Sequence, residues 1–301
     1  MASQDAAAGP PGGGSADGAA EPPSFDTTIP HPARIYDYWL GGKDNYEADR
    51  EAAEQVIATQ PSILATVRAN RAFLRRAVQY LAGEAGIRQF LDIGTGLPTN
   101  ENTHQIAQEI TPESRIVYVD NDPIVLAHAR ALLTTTAEGA TAYIQADARD
   151  TAMILRQAAR TLDLSQPVAV MMLGLLHYIP DADGPLQIVS RLLDGVAPGS
   201  YLAISEATRD IDTRSITESA ARFNAQRVAA PFTPRTRAQI ARYFSGLDLV
   251  DPGLVPLPQW RALANPAKPI PAYAAIARKP RQPPPGQAGS LRGDQRPEPP
   301  A

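Results

Sequence analysis

The chain has no cysteine among its 301 residues, which excludes disulfides, thiolate metal sites and cysteine nucleophiles. It has no excess of positive charge either. Its 28 Lys and Arg face 32 Asp and Glu, a formal net charge of −4, so it lacks the footprint of a phosphate-backbone binder and nucleic acid is not an expected partner. No run approaches the roughly 18 apolar residues of a helical membrane span, and no membrane partner is expected. The N-terminus shows neither the basic n-region nor the apolar h-region of a secretory signal, which makes a cytoplasmic protein the expectation. Histidine is scarce: His31, His104 and His128 have no acids near them at metal-ligand spacing, so no metal is expected. Aromatic residues make up only 6% of the chain, which gives weight to any place where several gather.

What is present suffices for one large α/β domain, since 44% of the residues are hydrophobic. Residues 1–28, rich in Ala, Gly and Pro, and the Pro-rich residues 280–301 hold too few large apolar groups to offset the entropy of ordering; both read as disordered tails. Residues 29–86 read as helical. Asp44 is placed to cap a segment carrying Ala48, Ala52, Val56 and Ile57, and Pro61 opens a longer one running through Val67, Phe73, Leu74, Val78 and Leu81 to Gly83 and Gly86. Arg68, Arg71 and Arg75 share one helical face, which reads as solvated, with an anionic-substrate site as the alternative.

Over residues 87–279 strand-like and helix-like segments alternate. Strands are expected at 90–93, 116–120, 143–144, 168–173 and 201–204, with a late pair at 247–250 and 273–277. Helices are expected through Ile106 and Ile110, from Asp122 through Val125, Ala129, Leu132 and Leu133, after Asp150, and through Leu186 to Leu193. After 204 the chain reads as irregular until Thr233-Pro234, which opens a helix to Phe244. Such alternation implies a doubly wound, mostly parallel sheet with right-handed crossovers, whose ligands bind beyond the carboxyl ends of the strands.

Those strand ends carry the chemistry. The first runs into Asp92-Ile93-Gly94-Thr95-Gly96, with Thr99 and Asn100 placed to open a helix. Glycines there let a ligand approach bare backbone. An acid ahead of them would repel a pyrophosphate and suits a cationic or donor-rich ligand. For the same reason an NAD-dependent oxidoreductase is a weak reading, and Thr99 stands where the third glycine of that fingerprint belongs. The second strand ends in Asp120 and Asn121, an acid placed to accept both hydroxyls of a ribose. The third ends in Ala146-Asp147-Ala148, where Asp147 is suited to an adenine amino group. The fourth ends in Leu173 and Gly174 followed by His177 and Tyr178, and the fifth in Ser205-Glu206. Each acid has a plainer reading: turn caps for Asp92 and Asp147, a loop cap for Asp120, and a solvated carboxylate for Glu206.

The Asp92-x-Gly94-x-Gly96 pattern resembles motif I of the class I S-adenosylmethionine (SAM) methyltransferases. The run from Pro32 to Tyr46, with Tyr36-Asp37-Tyr38-Trp39-Leu40-Gly41-Gly42-Lys43-Asp44-Asn45 at its heart, is similar to the N-terminal signature of the actinobacterial DUF574 family of SAM methyltransferases. The resemblance spans roughly residues 28–279. It implies a Rossmann-like class I methyltransferase fold, a seven-stranded sheet whose last strand is antiparallel. It also implies SAM as cofactor, held by Asp92, Gly94, Thr95, Gly96, Asp120, Asn121, Asp147, Ala148 and Leu173, and an N-terminal helical extension, residues 29–86, lying over the cleft. Tyr38, Gly42, Lys43, Asp44, Asn45 and Glu206 are then expected at the lid and substrate pocket, although the aromatics, Trp39 above all, can equally serve to dock the extension on the sheet.

Methyl transfer is an in-line displacement in which most of the rate can come from positioning, and a base matters only when the acceptor must lose a proton. His177 is the first candidate for that base, with a structural histidine as the plainer reading; Tyr178 and Tyr36 follow. The leading expectation is a methyltransferase acting on a small-molecule acceptor. The alternative is a non-catalytic SAM-binding module that senses the cofactor or docks a partner. A homodimer and a monomer are both compatible with the sequence.

Overall fold

The structure is a computed structural model, and it describes residues 26–98, 101–125, 135–262 and 269–281. The two expected tails, apart from residues 26–28 and 280–281, lie outside the described residues. So do Thr99, Asn100, His128 and the stretch with Ala129, Leu132 and Leu133.

Three helices come first: α1 (Pro32–Trp39), α2 (Glu47–Thr59) and α3 (Ile63–Gln79), the last closing in a π turn. The sheet strands are β1 (Gln89–Ile93), β2 (Arg115–Asp120), β3 (Ala140–Gln145), β4 (Ala169–Leu173), β5 (Tyr201–Ala207), β6 (Asp248–Leu249), β7 (Val255–Pro256) and β8 (Ala272–Arg278). Between them run α4 (Thr103–Ile110), α5 (Thr151–Ala158), α6 (Pro185–Asp194), α7 (Thr213–Asn224) and the short α8 (Arg237–Ala241). Seven strands form one continuous path in the order β3-β2-β1-β4-β5-β8-β6, and two-residue β7 pairs with β8 beside it. The first five are parallel; β8 is antiparallel to β5 and to β6. This is the Rossmann-like class I methyltransferase arrangement, with the chain reversing between β1 and β4, where ligands bind in such sheets.

The alternation of side chains along each strand builds two cores. Leu91, Ile93, Val117, Val119, Val170 and Met172 face one way, toward α5 and α6. Phe90, Ile116, Tyr118, Ala169 and Met171 face the other, where they meet α3, α4 and the fully buried Trp260. Trp260 packs edge-on against Phe73, with ring centroids 5.3 Å apart. A third cluster joins Ile35, Trp39, Ala52, Ala53, Val56 and Val67 of α1–α3 to Phe223 of α7.

Several local expectations are corrected. Asp44 does not cap α2: the helix starts at Glu47, and the buried carboxylate of Asp49 accepts from the Tyr46 amide at 2.9 Å. The helix after β1 begins at Thr103 behind Asn102, whose amide donates to Gln105 Oε1 at 2.7 Å. The segment after β5 holds the 12-residue α7; its buried stripe is Ile216, Ser219, Ala220 and Phe223, with only two large apolar side chains in an otherwise polar segment. The helix expected from Thr233 starts at Arg237, capped by Thr236 Oγ1, which accepts from the Gln239 amide at 3.2 Å.

Candidate active site

Two cavities adjoin at the carboxyl edge of the sheet. The first opens over the turn after β1. Its Gly94 and Gly96 have φ of +75° and +67°, conformations open to glycine and strained for other residues. The Gly94 and Thr95 amides donate to Val119 O at 2.8 and 3.3 Å, tying the turn to β2. A Cβ on Gly94 would lie 2.7 Å from a Leu175 methyl.

Asp92 is buried beneath this turn, and Thr103 Oγ1 donates to its Oδ2 at 2.6 Å. Burial pushes its carboxyl up to about 6; the Thr103 hydroxyl and the Arg71 guanidinium pull the other way, while Asp120 adds to the rise. Asp120 accepts from the Gly96 amide at 2.8 Å and from the Asp122 amide at 3.0 Å. Its carboxyl is also raised, first by burial, against those two amides. One buried and one half-buried acid facing one cavity, with glycine backbone between them, make a cradle for a ligand that brings positive charge and hydroxyl donors.

Asp92, Gly94, Thr95, Gly96, Asp120, Asn121, Asp147, Ala148 and Leu173 all line this cavity, and Tyr36 and Tyr178 close it. Asp147 is not bare. Arg149 donates to both its oxygens, from the backbone at 2.9 Å and from Nη1 at 2.7 Å, and its Nη2 bridges on to Asp183 at 2.7 Å. His31, Ala33, Asn70, Thr103 and Tyr118, to which the sequence assigned no role, also line the cavity, and so does Arg71. The solvated-face reading is therefore corrected at Arg71: Arg68 is exposed, but Arg71 lies half-buried against the cleft. Helical spacing shows that residues share a face but not what lies opposite.

The second cavity lies between the ends of β4 and β5 and the helices α1, α2, α3 and α7. Its wall is mainly apolar, with Trp39, Val56, Ile63, Phe223, Phe232 and Leu257 among its members; His177 and Glu206 line it too. It shares Tyr36, Asn70, Gly174 and Tyr178 with the first cavity. Across that seam runs a hydrogen-bonded chain: Ser205 Oγ donates to Asn70 Oδ1 at 2.6 Å, Asn70 Nδ2 to Tyr36 Oη at 3.1 Å, and Tyr36 Oη to Val67 O at 3.2 Å. Burial raises the Tyr36 phenol, opposed by Asn70, and raises the Tyr178 phenol further, with Tyr36 adding to it. Glu206 is no solvated carboxylate: it is 1% exposed and accepts from Arg235 Nη1 at 2.8 Å.

Tyr38, Gly42, Lys43, Asp44 and Asn45 line neither cavity. They build the turn after α1 around Asp37, which is buried. Asp37 Oδ2 accepts from the Asp44 amide at 2.9 Å and Asn45 Nδ2 at 2.8 Å, and any Cβ on Gly42 would overlap the Asp37 carboxylate. Tyr38 Oη donates outward to Glu54 at 2.5 Å. Arg34, between Asp49 and Asp122 at 3.6 and 3.5 Å, ties α1 to the loop beyond β2, and His31 Nδ1 lies 3.2 Å from Asp122. Among the described residues no group of His, Cys, Asp and Glu is arranged to hold a metal ion, and no helix is long and apolar enough to cross a membrane.

A strand-end cleft with acids around a Gly-x-Gly turn, on this sheet, is the arrangement of the class I methyltransferases. The chain belongs to the family described as S-adenosyl methyltransferase, whose model matches residues 18–280, and SAM is the cofactor of that family. A DUF574 family protein from Streptomyces avermitilis is 47% identical, with 85% of this chain and 99% of that one covered and a TM-score of 0.81. A Thermobifida fusca protein carrying a provisional methyltransferase assignment is 40% identical over 87% of this chain and 99% of its own, with a TM-score of 0.77. The plantazolicin methyltransferase, solved with S-adenosylhomocysteine, covers 83% of this chain and 96% of its own at 10% identity and a TM-score of 0.50, a likeness of fold alone. No curated protein matches the sequence.

Proposed function

We propose that the protein transfers the methyl group of SAM to a small, largely apolar acceptor bound in the second cavity. The observation that carries this reading is the seam of Tyr36, Asn70, Gly174 and Tyr178, through which a cofactor in the first cavity faces an acceptor in the second. When bound, the cofactor supplies an electrophilic methyl on a sulfonium. Asp120, its carboxylate aimed by the Gly96 and Asp122 amides, is placed to accept the ribose hydroxyls. Asp92 and Arg71 stand together where the amino-acid end of the cofactor, with one ammonium and one carboxylate, finds a partner for each. Gly94 and Gly96 leave backbone room beside it. Apolar walls keep water from the acceptor and align it, which is the chief source of rate in a displacement at carbon.

Calorimetry with S-adenosylhomocysteine tests the reading. Binding is expected, weakened roughly 10- to 100-fold in Asp120→Ala, the cost of a charge-assisted hydrogen-bond set of about 1.5–3 kcal/mol. No binding by the wild type, or undiminished binding by Asp92→Ala and Asp120→Ala alike, overturns it. Transfer of labelled methyl to any acceptor in a host extract separates an enzyme from a binding module.

A further inference from the structure

The second cavity holds a charged cluster that binding alone does not require. Glu206 closes β5 with one carboxylate oxygen satisfied and one not. Oε1 accepts from Arg235 Nη1 at 2.8 Å, whereas Oε2 is buried with no hydrogen-bond partner, 3.4 Å from His177 Nδ1. Arg235, 2% exposed, has its other donors committed: Nη1 also to Leu176 O at 2.8 Å, Nη2 to Ile179 O at 2.6 Å, and Nε and Nη2 to Asp181 Oδ1 at 3.0 and 2.8 Å. The guanidinium therefore fixes the carboxylate rather than a ligand. Its partner Asp181 lies at the exposed end of the cluster, and Tyr243 lies under the guanidinium, 5.9 Å from ring centroid to Cζ.

His177 sits at the inner end. Its ring is flanked by Tyr178 and Phe232, at centroid distances of 4.5 and 5.2 Å. Nδ1 faces two groups, the Ala207 amide at 3.3 Å and Glu206 Oε2 at 3.4 Å. While Nδ1 accepts from the amide, the neutral ring carries its proton on Nε2 and Oε2 is left without a donor. In the other tautomer the long amide contact is given up, Nδ1–H has Oε2 within reach, and Nε2 turns a lone pair to the cavity that the ring lines. Nε2 has no partner among the described residues. The cluster suits that tautomer, the one a base acting at Nε2 needs, and the imidazolium it becomes on taking a proton, because Oε2 is a buried acceptor with no other donor.

Resting on the methyltransferase reading, we propose that His177 is the general base for the acceptor, that Glu206 clamped by Arg235 is its positioning residue, and that the acceptor is an apolar molecule bearing a hydroxyl. A carboxylate acceptor would bring a charge into a wall of Trp39, Val56, Phe223 and Phe232 and has no proton for the base to remove. A protonated amine would bring a cation to the same apolar wall. A neutral hydroxyl suits both the wall and the base. In the transfer the hydroxyl oxygen forms the bond to the methyl carbon, and the carbon–sulfur bond breaks with its electron pair going to sulfur. The hydroxyl proton passes to His177 Nε2 and leaves to solvent after the methyl ether departs.

The probe is para-nitrophenol, whose phenolate absorbs at longer wavelength than its neutral form, added to the full chain saturated with S-adenosylhomocysteine. The wild type is expected to bind it as phenolate at a pH well below the free probe's own pKa. His177→Gln should bind it as the neutral phenol, and Glu206→Gln should move the appearance of the phenolate band to higher pH. A neutral-phenol spectrum in the wild type, no uptake of probe by the saturated protein, or a phenolate band that survives in His177→Gln overturns the base assignment. An unmoved band in Glu206→Gln overturns the positioning role. Calorimetry of S-adenosylhomocysteine on the same proteins separates the two readings: its loss in the wild type sinks the methyltransferase reading, whereas cofactor binding with a neutral probe sinks the base alone.

Discussion

Asp92, which the proposed function puts beside the cofactor, is held in the fold at a cost. Its carboxyl rises from an ordinary 3.8 to about 6, chiefly by burial. A folded-state pKa above the unfolded one means a stabilising contribution fully present below about 3.8 and lost as pH rises through about 6. Near neutral pH the ligand-free protein therefore carries a buried charge that costs about 3 kcal/mol, taking a shift of about two units at 1.36 kcal/mol each. Asp92→Asn, whose side-chain oxygen still accepts from Thr103, is expected to raise the melting temperature of the ligand-free protein near neutral pH and to lose that advantage near pH 4. Its affinity for S-adenosylhomocysteine should fall, and the wild type's affinity should fall as pH drops through about 6. A melting temperature that does not rise, or rises equally at both pH values, contradicts this account.

At the scale of elements, the conspicuous stretch from Tyr36 to Asn45 acts through its turn. Asp37 organises it by accepting from Asp44 and Asn45, and the turn needs glycine at 42 because Asp37 fills the space a side chain would take. Trp39, from the same helix, donates Nε1 to Ala53 O at 3.3 Å and so joins α1 to α2. On this stretch Tyr36 reaches both cavities and Trp39 the second, while Tyr38, Gly42, Lys43, Asp44 and Asn45 reach neither. Gly42→Ala is expected to destabilise the protein by about 1–3 kcal/mol, the cost of overpacking a closed site. Hydrogen exchange should show the loss concentrated in α1 and the turn, with β1 to β5 unaffected. Uniform loss across the sheet would show that the turn is not an independent unit.

For the whole molecule, the walls of the second cavity come from chain segments far apart in sequence. Phe223 of α7 packs with Ile35, Trp39 and Val56 of the N-terminal helices, and its ring lies 6.2 Å from Phe232 and 6.3 Å from Tyr178. The small cluster these residues form is separate from the two cores on the sheet faces. Phe223→Ala is expected to cost about 3–5 kcal/mol locally. In native-state hydrogen exchange, α1 and α2 should then open well before the sheet, and para-nitrophenol uptake should drop more than S-adenosylhomocysteine affinity. Equal loss of both ligands, or a single cooperative opening that includes β1 to β5, would argue against a separable lid.

The sequence by itself determined the sheet and which acids stand at its strand ends. Strand periodicity, the apolar run of β4 and the register of Asp92, Asp120 and Asp147 at strand ends are local patterns, and local patterns are legible because each follows from a few neighbouring residues and the fixed geometry of a strand. It did not reveal α7, whose buried stripe holds only Ile216 and Phe223 as large apolar residues in a polar segment, nor that Arg71, of the three arginines on its helix face, lines the cleft. Only the tertiary structure decided that Lys43, Asp44 and Asn45 build a turn instead of a pocket. It alone brought Arg235 to Glu206 and Glu206 to His177, three residues from three segments. That pairing depends on how strand ends and loops converge in space, and no spacing along the chain encodes it.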